Sequence, residues 1–158
     1  LNLSDYDYCV IDCHNDFSVA TKNAIIVSAL VLSPIIPDRG SWESRVRSNS
    51  LFVSLKRETI DFQTRKCYVK AKLYYVANNI AKNTEESRNM MDALSGDETV
   101  LEFFQKKQLF VKTIMNSTNL YDLEASPKYG KTPGDRQFFK EAYKSFDHIQ
   151  NVLDSIED

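Results

Sequence analysis

The sequence predicts an α/β fold, with a mostly parallel sheet covered by helices on both faces. Short apolar runs rich in β-branched and aromatic residues alternate along the chain with longer segments of helical spacing. Strands joined in this way pair in parallel through right-handed crossovers. The length of 158 residues, with neither internal repeats nor low-complexity linkers, favours one domain or a large part of one.

Four strands and five helices are predicted in alternation. The first strand ends in a carboxylate at Asp12, the second is closed by a turn at residues 37–40, and Ser41 is placed to cap the helix that follows. The predicted strands are residues 6–13, 31–36, 68–77 and 109–115. The predicted helices are residues 18–30, 41–63, 84–94, 99–107 and about 136–156.

Ligands of such folds bind beyond the carboxyl ends of the strands. The segments that follow the predicted strands are residues 12–17, 37–41, 78–82 and 116–124. We therefore expect the functional side chains in these four segments.

Composition excludes few functions. The net charge of −2 and the pI near 5.7 give no overall basic field, so nucleic acid would have to bind a local patch. The longest apolar run, residues 24–36, is shorter than the roughly 20 residues that span a bilayer. Three cysteines without a CxxC spacing favour reduced thiols of a cytoplasmic protein over disulfides or a zinc site.

Asp12 is the first candidate for chemistry. It closes a short apolar strand, where a carboxylate can hold Mg²⁺ through water beside the phosphates of a nucleotide. A strand of any α/β protein can also end in an aspartate that acts as a cap or turn residue. Both interpretations stay open on this residue alone.

Several stretches resemble the partition ATPases of the ParA/MinD type (Soj-like). Residues 6–13 (YDYCVIDC), 20–24 (ATKNA) and 31–38 (VLSPIIPD) resemble the Walker B region in letters and spacing. Residues 73–79 (LYYVANN) resemble the strand whose closing asparagine meets the adenine base. Residues 109–114, 123–131 (LEASPKYGK) and the helix of Tyr143 resemble the rest of that domain, so the similarity spans the chain.

The resemblance implies a P-loop NTPase-like (Rossmann-like) fold, of which residues 1–158 would be the C-terminal part of a single ATPase domain. The chain starts at Leu1 without an initiator Met, so we expect the N-terminal P-loop portion to lie upstream of it. The intact parent would use ATP and Mg²⁺ to position a plasmid or chromosome, whereas this chain alone would bind neither and hydrolyse nothing. Implied partners are a second copy, a ParB-like protein and non-specific DNA, in the cytoplasm on the nucleoid.

The resemblance also implies roles for particular residues. Asp12 would be the catalytic Walker B carboxylate and the Mg²⁺ ligand, and residues 13–18 the switch segment. Asn78, Asn79 and Asn116 would bind the nucleotide, with Asn78 favoured by spacing for the base. The alternative for the asparagines is a turn at a strand end. Two departures from the family are His14-Asn15 in place of Pro-Pro, and Met115 where a proline usually stands.

A second phosphate-loop pattern occurs at residues 125–132 (ASPKYGKT). A working P-loop leaves a strand directly and opens a helix, so that backbone N–H groups converge on phosphate. Here the preceding predicted strand ends about ten residues earlier, and Pro133-Gly134 follows where the helix should begin. We therefore interpret this segment as a loop before the last helix.

Basic residues in this half of the chain are candidates for DNA phosphate contacts, although charged helix faces are usually only solvated. They are Lys82, Arg88, Lys106, Lys107, Lys128 and Lys131.

Residues 8–11 would lack a neighbouring strand without the upstream portion, so we expect self-association at an exposed edge. The alternative to the nucleotide switch is a non-catalytic α/β binding module, either receiver-like with Asp12 as acceptor or a degenerate partition protein acting by protein contacts.

Overall fold

The computed structural model describes residues 5–14 and 16–156, which form a three-stranded parallel sheet flanked by helices. The strands are β1 (Leu30–Ile35), β2 (Lys72–Ile80) and β3 (Val100–Gln105), with β2 in the centre. β1 pairs with β2 from Leu30 opposite Lys72 to Ile35 opposite Ala77. The predicted α/β fold with a parallel sheet is confirmed.

Six helices connect and cover the strands. They are α1 (Val19–Val27), α2 (Arg39–Glu58), α3 (Glu85–Leu94), α4 (Gln108–Met115), α5 (Leu120–Ala125) and α6 (Pro133–Asp154). The caps follow the sequence locally: Asp38 Oδ1 accepts from the Ser41 N–H at the start of α2, and Thr84 Oγ1 accepts from the Ser87 N–H at the start of α3. Among the described residues, no helix is both long and apolar enough to cross a membrane.

One face of the sheet is covered by α2 and α3. Tyr75 and Ala77 of β2 are buried there with Met90 and Leu94 of α3, and Leu73 joins them to the cluster around Phe52 of α2. Alternation along β2 places these residues on the same face of the strand. Their burial supplies the apolar free energy that attaches both crossover helices.

The opposite face is covered only in part, by α6. Phe146 of α6 lies 5.4 Å from Phe104 of β3 between ring centroids, and Glu102 of β3 binds Ser145 of α6 at 2.8 Å. Over β1 this face stays open, and Leu32 is 40% exposed. Helices thus lie on both faces, but the second layer covers mainly β3.

Two predicted elements were wrong in type. Residues 99–107 were predicted as a helix, and most of them form β3. Residues 109–115 were predicted as a strand and form α4. The apolar and aromatic run of β3 pairs in parallel with β2, and α4 buries Leu109 in a cluster with α5 and α6. The β3 run agrees with strand propensity, whereas in α4 burial outweighed the strand propensity of its β-branched residues.

The predicted first strand does not form. Residues 6–13 are exposed and lie outside the sheet, so Asp12 does not close a strand. A β-rich run gains little unless a neighbouring strand satisfies its backbone groups, and no described strand lies beside it. Instead, the Tyr8 hydroxyl donates to Asp154 Oδ1 over 2.6 Å at the end of α6.

Candidate functional site

A groove of about 860 Å³ opens at the carboxyl ends of the strands, on the partly covered face of the sheet. Its floor is apolar and aromatic, with Val76, Phe104 and Phe146 among its members. Its polar rim comes from the ends of β2 and β3. The residues of that rim are Asn78, Asn79, Gln105, Lys106, Lys107 and Gln108.

The end of β2 is irregular at its two asparagines. The pairing with β3 shifts between Ala77 and Ile80, and Asn79 takes a positive φ of 59°. Asparagine tolerates this left-handed conformation better than most residues. The Asn79 N–H donates to Asn78 Oδ1 over 2.8 Å, which orients the Asn78 amide at the rim. The two asparagines thus lie in an irregular part of β2 and not in a turn after the strand, and they line the groove.

Two lysines follow β3 at the rim, Lys106 and Lys107. Among the described residues that line the groove, they are the only charged ones. The Lys106 N–H donates to the Ile80 carbonyl over 2.9 Å, which holds the two strand ends together. Lys107 is the N-cap residue of α4 and makes no side-chain cap hydrogen bond. Two ammonium groups and the start of a helix give this rim a positive potential. The rim is therefore suited to an anion.

Asp12 is not part of the groove. It is exposed and does not line the groove. Within the part of the chain that the structure describes, no group of three or more His, Cys, Asp and Glu side chains could hold a metal ion. A lone carboxylate does not make a Mg²⁺ site, since this cation also needs substrate phosphate or further ligands.

The predicted switch segment, residues 13–18, leads into α1. Asp16 Oδ1 accepts hydrogen bonds from the Ser18 N–H and the Thr21 hydroxyl, and hydrogen bonding to Ser18 and Thr21 lowers the pKa of Asp16. His14 is exposed, and Asn15 lies outside the described residues. None of the described residues of the segment lines the groove.

Asn116 is also separate from the groove. It closes α4 at its C-terminus, donating its N–H to the Lys112 carbonyl over 3.0 Å, and its side chain is exposed.

The sequence did not predict the aromatic floor of the groove, because Phe104 was assigned to a helix. Residues 100–104 (Val-Leu-Glu-Phe-Phe) contain four apolar residues, one of them β-branched and two aromatic, and this run was the signal that could have identified the strand.

The second phosphate-loop pattern is not built like a P-loop. Residues 125–132 follow the short helix α5 and do not leave a strand. Contrary to expectation, a helix does begin after them: Thr132 caps α6 and Pro133 occupies its first turn, a position that proline favours. No residue of this loop lines the groove.

Four of the six basic residues predicted for DNA lie near the carboxyl edge, whereas Lys128 and Lys131 lie in the loop between α5 and α6. Lys82 follows β2, Lys106 and Lys107 follow β3, and Arg88 lies on α3, which begins at the same edge. None of these four makes an ion pair with a described residue. Glu85 and Glu86 at the start of α3 interrupt the patch.

The fold and the groove define an α/β protein with an open groove at the carboxyl edge of its parallel sheet, where ligands of such folds bind. Comparison of the chain with models of protein families finds no match, and comparison with curated proteins finds none either. Membership of the ParA type therefore stays a prediction from the sequence.

Proposed function

We propose that the chain is the C-terminal part of a ParA-type nucleotide switch, and that the carboxyl-edge groove receives the nucleotide in the intact parent. The observation that carries this proposal is the convergence of Asn78, Lys106 and Lys107 on one groove at the ends of two neighbouring parallel strands. The Asn78 amide and the apolar floor can bind a nucleotide base, and the lysine ammonium groups can bind its phosphates.

The base would lie against the apolar floor beside Asn78. The oxygen of that amide already accepts the Asn79 N–H, so its NH₂ group stays available to donate to a ring nitrogen. The phosphates would lie toward Lys106 and Lys107. This division of roles follows from the separation of apolar floor and basic rim.

Mg²⁺ belongs to the proposal for the intact parent alone. The described residues do not form a site for it, and Asp12 would contribute as Walker B carboxylate, through water, only with ligands from outside this chain. ATP hydrolysis is accordingly proposed for the parent, whereas this chain alone is not expected to hydrolyse ATP. The proposed role of the parent is partition of a plasmid or chromosome in the cytoplasm, on the nucleoid.

Two measurements test the nucleotide proposal. Mg-ATP turnover by the intact parent should be lost on Asp12→Ala. In that parent, Asn78→Ala and Lys107→Ala should each weaken binding of a fluorescent ATP analogue by about tenfold, as expected for loss of about 1.4 kcal/mol. Lys140→Ala, a change of an exposed lysine of α6 outside the groove, is the matched control. Equal binding by all variants would overturn the groove assignment.

Partners of the parent are part of the same proposal. Lys82, Arg88, Lys106 and Lys107 would contact DNA phosphates without reading sequence, so each charge removed should reduce the slope of log affinity against log salt by about 0.9. A ParB-like protein and a second copy complete the proposed set. Equal salt slopes for the native chain and a variant with all four residues changed to Ala would contradict the DNA contact.

A second candidate is a non-catalytic α/β binding module. The position of Asp12 outside the groove favours it, because ligand binding at the groove then has no carboxylate of this chain to couple it to hydrolysis. The receiver-like form with Asp12 as acceptor and the degenerate partition protein belong to this candidate. An intact parent that binds no nucleotide would favour it over the switch.

A further inference from the structure

A second opening, of about 600 Å³, lies at the amino ends of β1 and β2, at the edge of the sheet opposite the carboxyl-edge groove. We refer to it as the amino-edge cleft. Its walls come from the end of α1, from the segment that leads into β2 and from the residues that follow α6. Four aliphatic residues line it, Ile26, Val27, Ala29 and Ile156. The cleft can therefore receive an apolar group.

The segment that leads into β2 presents two lysines to this cleft. From residue 68 to residue 72 exposed and buried side chains alternate, as they do along a strand. Val69 and Ala71 are buried in the cluster around Phe52 of α2. Lys70 and Lys72 are exposed, and both line the cleft. Two ammonium groups thus lie beside the aliphatic walls.

The charge of these lysines is not balanced locally, although the whole chain has a net charge of −2. Residues 62–84 contain five basic residues and no acidic one. Neither Lys70 nor Lys72 makes an ion pair with a described residue. A local excess of positive charge attracts a partner of opposite charge and favours its carboxylates over neutral groups.

An exposed aromatic side chain lies on a fixed turn that is joined to the cleft. Asp61 Oδ1 accepts from the N–H groups of Gln63 and Thr64 at 2.9 and 2.6 Å. Asp61 Oδ2 accepts from the hydroxyl of Tyr68, a residue of the cleft, at 3.2 Å. Phe62 follows Asp61 in this turn and is 88% exposed. An aromatic group on a backbone that is already ordered can bind a partner at a small cost in entropy.

We propose that the amino-edge cleft binds an acidic segment of a partner protein, anchored by an apolar side chain. The anchor enters between the aliphatic walls, carboxylates beside it pair with Lys70 and Lys72, and Phe62 packs on the bound segment. The aliphatic lining favours a protein over a nucleic acid, because it can bury an apolar side chain but offers nothing to sugar and phosphate. This inference goes beyond the proposed function, since it concerns the opposite edge of the sheet and needs no nucleotide.

Fluorescence anisotropy with labelled peptides tests the anchor without altering the protein. The native chain should bind the peptide EDELFDEE at least tenfold more tightly than EDESSDEE, in which two serines replace the apolar pair. The two peptides carry the same charge, so the comparison isolates apolar burial. Equal affinities, or no binding of either peptide, would overturn the proposal.

Charge reversal tests the two lysines. The double variant Lys70→Glu, Lys72→Glu should bind EDELFDEE at least tenfold more weakly than the native chain, and should bind the basic peptide KRKLFRKK more tightly than the native chain does. This gain shows that the loss does not come from misfolding. Lys140→Glu, Lys144→Glu is the matched control, since both lysines are exposed on α6 outside the cleft and the net charge changes equally. Equal losses in the two double variants would indicate a response to net charge alone and overturn the site.

Phe62→Ser tests the exposed aromatic group. It should weaken binding of EDELFDEE at least threefold, because apolar contact with the bound segment is lost. Ile114→Ser is its control, since Ile114 on α4 is 79% exposed and lies at neither end of the cleft. The affinity of the control should equal that of the native chain, and equal losses at both positions would contradict the contact with Phe62.

Two further measurements decide between occupants. An oligo(dT) strand should leave the bound peptide in place, and its displacement of the peptide at equal concentration would assign the cleft to nucleic acid and overturn the proposal. The intact parent should bind EDELFDEE with the same dependence on Lys70 and Lys72 as this chain. Failure of the parent to bind would show that the cleft is covered within the whole protein, which also overturns it. Nucleotide binding is measured with variants of the opposite edge, so the failure of either proposal leaves the other testable.

Discussion

The Tyr143 hydroxyl donates a hydrogen bond to Glu124 Oε2 over 2.8 Å and so ties α6 to α5. Partial burial, the hydrogen bond and the negative charge of Glu124 together raise the pKa of Tyr143 well above its ordinary value, so the phenol stays protonated throughout the physiological range. The ring of Tyr143 stacks on Tyr121 at 4.6 Å between centroids. The hydroxyl and the ring of Tyr143 thus make separate contacts with α5, and their contributions to stability can be measured separately.

Tyr143→Phe removes the hydroxyl and keeps the stack. We expect the free energy of unfolding to fall by about 1 to 2 kcal/mol, since a charged acceptor loses its donor. Urea denaturation measures this loss. Tyr121→Phe is the control, because the Tyr121 hydroxyl is on a 68% exposed residue and makes no hydrogen bond to a described residue. Equal effects of the two changes would contradict a specific role of the Tyr143 hydroxyl.

Asp97 is predicted to make stability depend on pH in the acid range. Hydrogen bonds from the Thr99 side chain and backbone lower the pKa of Asp97, with the Arg45 guanidinium as a further contribution. A folded pKa below the unfolded value of about 3.9 adds stability above that pH, and this stability is lost as pH falls through the folded pKa.

Asp97→Asn should therefore cost about 1 kcal/mol at pH 7 and progressively less below about pH 4, where the native carboxylate is itself protonated. Thermal melts of both proteins between pH 2 and pH 7 measure the difference. Asp92→Asn is the matched control, since Asp92 is exposed at the end of α3 and its side chain makes no hydrogen bond to a described residue. A difference for Asp97→Asn that stays constant with pH would contradict the charge-based explanation.

Gly130 is predicted to be the glycine least tolerant of a side chain. Its φ is +76°, and a Cβ there would lie 3.0 Å from the Glu124 carbonyl oxygen. Gly130→Ala should cost more than the roughly 1 kcal/mol of the backbone conformation alone. Gly96→Ala separates the two causes, because Gly96 also has a positive φ, of 79°, with open space around it.

Gly134→Ala completes the series. Gly134 lies in the first turn of α6 without a positive φ, and Ala there should be neutral or stabilising by a few tenths of a kcal/mol. The expected order of melting temperatures is Gly134→Ala, Gly96→Ala, Gly130→Ala, from highest to lowest. An equal cost at Gly96 and Gly130 would show that the carbonyl contact is unimportant.

Local chemistry predicted the elements whose signals are contained in a few consecutive residues. The apolar run of β1 is closed by Pro37, and Thr84 begins α3 where it was expected. The observed start of α2 differs from the predicted one. Asp38 caps this helix, three residues before the predicted cap Ser41. Asn78 was predicted to follow a strand ending at Ala77, whereas β2 continues through it to Ile80, and Asn78 lies on the groove rim.

Features that depend on distant partners were not predictable in the same way. β3 exists because its apolar run pairs with β2, and residues 6–13 have equal strand propensity but no neighbour to pair with. The aromatic floor joins Phe104 to Phe146, which are brought together only by the packing of α6. Sequence spacing does not reveal that contact. Lys106 and Lys107 were therefore predicted to bind DNA and not to line a groove.

Substitutions in α4 test the assignment that differs most from the sequence prediction. A strand at residues 109–115 would place the side chains of Leu109 and Val111 on one face, because strand side chains alternate. In the helix the two residues point to different sides: Leu109 is 6% exposed, and Val111 is 47% exposed. The two arrangements therefore predict different costs for truncating these side chains.

Leu109→Ala should lower the free energy of unfolding by about 2 to 4 kcal/mol, since it opens a cavity among Leu123, Phe138 and Phe139. Val111→Ala should cost less than about 1 kcal/mol, because little apolar surface is buried there and alanine favours a helix. Urea denaturation of both variants, with the dependence on denaturant checked for constancy, gives the comparison. Similar large losses at both positions would indicate a buried strand face and contradict α4. A large loss at Leu109 alone is the result that only the helix explains, since the helix buries one residue of this pair.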